Sequence, residues 1–156
     1  MTGLSGRLIA LLGYGGAIPF VGLGALLLLG GGSSASVWPA DWADPGFLLL
    51  SYGAIILSFL GGLQWGRLAH AGHQGRAGDN LWLVFSVLPA LAGWLVLIWP
   101  LPERLGGGLL LAAFGLCWWL DRQLVRAGAW AGFMGRLRSH LSLSALFGMA
   151  CLVAAG

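Results

Sequence analysis

The stretch YGAIILSFLGGLQWG, Tyr52 to Gly66, decides the fold. It is apolar enough to lie in lipid, yet it carries a serine, four glycines and a glutamine. Ala54, Ser58, Gly62 and Gly66 recur every four residues, so on a helix they form one small-residue stripe. Lipid supplies no hydrophobic force to pair helices. Close packing must do it, and small-xxx-small stripes permit the approach. The stripe is expected to be a helix–helix seam inside one bundle. Gly61 and Gly62 together allow a local bend.

The rest of the chain fits that setting. Of its 156 residues 58% are hydrophobic and 8% are charged, against about a quarter charged in a soluble domain. The mean hydropathy is +0.87. A spanning helix needs about 20 mostly apolar residues. Five runs meet or approach that: Leu8–Leu29, Phe47–Trp65, Leu81–Trp99, Leu105–Leu120 and Ser139–Ala155. The last two are short and lengthen only by taking polar residues at their Asp121 and Arg138 ends. The runs are continuous, without the alternation of a membrane barrel. The first run is read as a retained helix and not a signal peptide, because it exceeds the usual length of about 7–15 residues and contains Pro19. Pro89 is expected to kink the third helix. The fold class is therefore all-α: one polytopic membrane domain over residues 1–156, with five transmembrane helices.

Charge sets the orientation. In a five-span layout one side holds Arg7, Arg67, Arg76, Arg122, Arg126, Arg136 and Arg138 against Asp79 and Asp121. The other holds Arg104 against Asp41, Asp44 and Glu103. Seven of eight arginines on one side places the N-terminus in the cytoplasm and the C-terminus outside. The connection AWAGFMGRLR, Ala129–Arg138, reads as a short amphipathic piece in the interface. Trp65, Trp82, Trp99, Trp118 and Trp119 fall near helix ends, as an aromatic belt requires.

The dispersed net charge of +3 gives no reason to expect nucleic-acid binding. Cys117 and Cys151 lie far apart in apolar runs and read as buried free thiols. His70 and His73 have a possible ligand spacing but no third ligand, and they read as loop histidines. No metal and no cofactor is expected. There is no GxSxG, HExxH or phosphate loop, and no ionised group near the middle of a run, so neither an enzyme nor a proton-coupled carrier is expected. If there is a binding site, it belongs at the arginine-rich end. There Gln64 and Trp65 of the second run would meet Asp121 of the fourth and His140 of the fifth, with Arg136 and Arg138 at the mouth to attract an anionic headgroup or carboxylate. Gly62 and Gly66 would leave room beside Gln64.

Four stretches carry a family resemblance: LGYGGAIPF (Leu12–Phe20), YGAIILSFLGGLQWG (Tyr52–Gly66), SVLPALAGW (Ser86–Trp94) and LRSHLSLS (Leu137–Ser144). In these the chain resembles the transmembrane protein 69-like group, a domain of unknown function in bacterial and mitochondrial membrane proteins. The resemblance implies an integral inner-membrane protein and carries over no catalytic residue. The expected role is a non-enzymatic bundle among membrane lipids that accompanies a larger membrane complex, with a respiratory assembly in view. The alternative is a small-molecule- or lipid-binding membrane protein. The bacterial inner membrane is the expected location, the mitochondrial inner membrane the alternative.

Overall fold

Peptide groups in hydrocarbon must close their hydrogen bonds within the segment. Every long apolar run of the chain is helical in the computed structural model, which describes residues 4–30, 44–70, 77–128 and 132–155. The helices are α1 Leu4–Gly15, α2 Ile18–Leu29, α3 Pro45–His70, α4 Ala77–Ile98, α5 Glu103–Arg126 and α6 Gly132–Ala155. The described residues contain no strand. Gly6–Leu29 (α1 and α2 together), Pro45–Leu68, Glu103–Arg126 and Gly132–Ala155 are each 24 residues and apolar enough to cross a membrane. At 1.5 Å per residue that is about 36 Å, against a hydrocarbon core of about 30 Å. Trp82–Ile98 is a shorter apolar helix.

The first run is two helices and not one. Pro19 has no N–H to offer the turn before it, and it sits in the first turn of α2, where that loss is harmless. The chain tightens at the break, with the Gly16 N–H shared between the carbonyls of Leu12 and Gly13 at 3.2 and 2.9 Å. From α3 the Tyr52 hydroxyl donates to the Gly16 carbonyl at 2.8 Å.

The last two helices are longer than hydropathy marks them. α5 runs on through Asp121 and Arg122 to Arg126, and α6 already starts at Gly132. From Gly132 onward the expected interfacial piece is thus the opening of α6. Residues 129–131 lie outside the described residues, as do His73 and the connections 31–43 and 71–76.

The small-residue stripe of α3 is corrected in phase. Ala54 is buried, but Ser58, Gly62 and Gly66 are exposed. A Cβ added at Gly62 or Gly66 would meet nothing within 4 Å. The internal seam lies one residue away. Gly61 sits so close to the Ser86 carbonyl of α4 that a Cβ there would run into it, and a Cβ on Gly93 would come within 2.9 Å of the Ala54 Cα. The two contacts are seven residues apart on each helix, two turns of an antiparallel pair. α2 and α6 approach in the same way, Gly24 against Gly148, where a Cβ would stand 3.0 Å from the opposing Cα.

Inside, Leu49, Leu57, Leu110, Phe114 and Met149 are fully buried. The Phe20 ring meets Phe114 edge-on at 5.6 Å and Tyr52 at 5.0 Å, so α2, α3 and α5 share one aromatic contact. Outside, the surface is apolar: Leu11 and Ile18 are each 70% exposed and Leu29 88%. Water would penalise such a surface, while lipid accepts it. The helix ends differ in charge. Asp44 caps α3 by accepting from the Gly46 and Phe47 N–H groups, and the Glu103 carboxyl packs against Gly46. Toward the opposite end, guanidinium groups lie over tryptophans, Arg67 over Trp82 at 5.8 Å and Arg122 over Trp118 at 5.1 Å.

Candidate functional site: a buried clasp across three helices

Asp121 lies five residues before the end of α5 and Arg138 six residues after the start of α6. Both are 4% exposed. Arg138 Nε donates to Asp121 Oδ2 at 2.9 Å and its Nη2 to Oδ1 at 2.7 Å. This is a bidentate pair, the strongest geometry a carboxylate and a guanidinium can form. Gln64 of α3, also buried, donates its amide to Asp121 Oδ1 at 3.4 Å. Its carbonyl accepts from Arg67 Nε, one turn on, at 2.9 Å. The cluster therefore ties α3, α5 and α6 together. It also places ionised groups deeper than the short-helix reading allowed. Once α5 and α6 extend, each charge sits more than a turn inside its helix, and only the partner makes that tolerable.

Of the six expected site residues the structure gathers three: Gln64, Asp121 and Arg138. The others point elsewhere. Trp65 is 56% exposed and donates its indole N–H to the Ser86 hydroxyl of α4. Arg136 is exposed. His140 is exposed, and its Nδ1 lies 2.9 Å from the Tyr14 hydroxyl of α1. The reason is rotational: each residue turns a helix by about 100°, so neighbours of an inward residue face outward. Room beside Gln64 lies on the Gly61 side, not the Gly62 and Gly66 side. A cavity of about 30 Å³ there is lined by Gly61, Gln64, Ser86, Asp121 and Arg138, with space and partners for water. Cys117 borders it as a free thiol, and Cys151 is free as well.

Sequence reading placed Arg67 among the charges of this end without joining it to the site, and it passed over Ser142. Arg67 follows Gln64 by three residues and so shares its face. Ser142 follows Arg138 by four and is 2% exposed. Beside it lies a second cavity of about 420 Å³ between α1, α2, α3, α5 and α6, which is almost wholly apolar. Leu60 and Arg138 line both cavities, so they form the wall between them. Among the described residues no group of three or more His, Cys, Asp or Glu is placed to hold a metal.

A family described as "Protein of unknown function (DUF3429)" matches residues 6–155. Transmembrane protein 69 of Xenopus tropicalis is 30% identical over 138 residues, 88% of this chain. The chain spans about half the length of that relative, 50%. No solved structure matches.

Proposed function

The chain belongs to the DUF3429 family of transmembrane protein 69-like membrane proteins, and within it we propose a non-enzymatic subunit of five crossings that accompanies a larger complex of the bacterial inner membrane, a respiratory assembly first among the candidates. The observation that carries this is the outward face of α3. Ser58, Gly62 and Gly66 are exposed while the chain's own helices pack one residue away, through Gly61 and Leu57. Against lipid such a groove gains nothing. Against another transmembrane helix it allows close backbone approach. The buried acid and base are engaged with each other and with Gln64, as suits a clasp better than a reactive centre.

The count of five crossings requires α4 to span. Its 22 residues reach about 33 Å. Arg67, Arg122, Arg126, Arg136 and Arg138 then lie on one side with the N-terminus, and Arg104 with Asp44 and Glu103 on the other, a balance that favours a cytoplasmic N-terminus and an outer C-terminus.

The test is purification of the full chain in mild detergent with mass spectrometry of the proteins that accompany it. A stoichiometric membrane protein is expected, released by Gly62→Leu with the melting temperature of the chain itself unchanged. A chain that purifies alone, or a partner indifferent to Gly62→Leu and Gly66→Leu, overturns the reading. A second reading, binding of a small molecule or lipid, has the 420 Å³ cavity in its favour.

A further inference from the structure

The cavity beside Ser142 has a volume within the range of about 300–1,000 Å³ usual for small-molecule sites. Its walls are hydrocarbon, including Phe20, Ile56, Leu63 and Leu141. Its rim includes Leu12, 65% exposed, and Phe59, 62% exposed. In a membrane those positions face acyl chains, which gives the cavity an opening toward lipid. Among the described residues that line it, two carry polar side chains, Arg138 and Ser142.

Ser142 is the informative one. Ser51, Ser58 and Ser144 each donate to the carbonyl four residues back, and Ser86 donates to Leu83. Ser142 is more buried than any of these, yet among the described residues its hydroxyl has no hydrogen-bond partner. A buried hydroxyl left this way is costly unless something else completes it. The charge of the site narrows what that is. Arg138 is the one ionised side chain among the described residues of the wall, and Asp121 already matches it through both oxygens. An anion would have to compete with Asp121, and a cation would face the guanidinium.

We propose that the cavity between α1, α2, α3, α5 and α6 binds an uncharged amphiphile drawn from the lipid phase, its hydrocarbon body against Phe20, Ile56 and Leu63 and a single carbonyl or hydroxyl group on the Ser142 hydroxyl. This deepens the ligand-binding reading and rests on it. A phospholipid acyl chain would share the hydrocarbon contacts but brings an ionised headgroup that the wall does not accommodate.

The experiment uses the full chain in nanodiscs with three diazirine probes of equal chain length: a fatty alcohol, the corresponding fatty carboxylate and a phosphatidylcholine carrying that chain. Crosslinks are mapped by peptide mass spectrometry. The alcohol is expected to label cavity residues on α3 and α6, to be displaced by unlabelled alcohol, and to exceed the other two. Ser142→Ala should weaken its labelling about five- to tenfold, the loss of one neutral hydrogen bond. The same substitution should leave the melting temperature unchanged or raise it, since it removes an unsatisfied group, and this separates lost binding from lost folding. Leu63→Trp, which fills the wall, should abolish labelling by all three probes. If Leu63→Trp abolishes labelling while Ser142→Ala does not alter it, or if the carboxylate or the phosphatidylcholine labels as strongly as the alcohol, the neutral-headgroup proposal is overturned and a cavity that binds chains remains. If labelling spreads over the outer helix faces and Leu63→Trp leaves it unchanged, the ligand-binding reading falls with it.

Discussion

Arg138 reaches back to the preceding helix and takes both carboxylate oxygens of Asp121, and neither residue is more than 4% exposed. Such a pair costs much to bury, and its attraction returns that cost only while both members are present. Asp121→Ala and Arg138→Ala should each lower stability by about 3–5 kcal/mol, read as thermal unfolding in detergent. Asp121→Leu combined with Arg138→Met should recover most of that loss. If the double variant is as unstable as the two losses added together, the pair is not acting as a unit.

Gly61 and Gly62 are adjacent and should behave oppositely. Gly61→Ala drives a methyl group into the Ser86 carbonyl, and the helices must separate, at about 1–3 kcal/mol. Gly62→Leu enters open space and should leave the melting temperature of the isolated chain unchanged. A reversal of this order would put the α3–α4 seam on the other face.

Leu57 is fully buried, whereas Ile55, two residues earlier on the same helix, is 64% exposed. Leu57→Ala should cost about 2–5 kcal/mol. Ile55→Ala should cost little in detergent, because the methyl groups it removes face the solvent of the membrane. Parallel melting curves check the pair.

Reporter fusions test the topology. Those after Gly75 and Gly128 should report cytoplasm, and one after Asp41 the outside, if the arginine-bearing ends obey the positive-inside rule. A cytoplasmic signal at Asp41 would remove a crossing and reverse the orientation of the later helices.

The helices were legible because continuous apolar length says membrane and helix at once. The phase of their packing was not. In water an apolar residue tends to be inside. In lipid Leu57 facing the core and Ile55 facing out have nearly equal hydropathy, so nothing in the pattern separates them. Small residues were ambiguous for a related reason: α3 carries glycine on both phases, and of Gly61, Gly62 and Gly66 only Gly61 meets a neighbour within the chain. Polar residues spoke more clearly. Gln64, Asp121 and Arg138 converge because each must find a partner away from hydrocarbon. Trp65, Arg136 and His140 could be assigned to the right end but not to the right side, since an interfacial side chain satisfies itself facing outward. The first run hid its break, because Pro19 in an apolar stretch is equally compatible with a kink in one helix and a start of the next. Ser142 was invisible: one serine among several in LRSHLSLS, singled out only by what its hydroxyl lacks.

The interruption at Gly16–Ala17 bears on how the molecule comes apart. Backbone hydrogen bonds that run unbroken make a helix open as one unit, and a gap lets its halves open separately. α2 is held by Gly148 against Gly24 and by Phe20 in the aromatic contact. α1 is held by Leu137 over Gly13 and by the Tyr14–His140 bond, with Leu8, Leu11 and Leu12 turned outward. In deuterium exchange the amides of Leu8–Tyr14 should therefore trade their hydrogens well before those of Leu23–Leu28, although both belong to one 24-residue apolar span. The first segment to leave on warming is then also a wall of the larger cavity, so the cavity loses its shape before the bundle loses its fold.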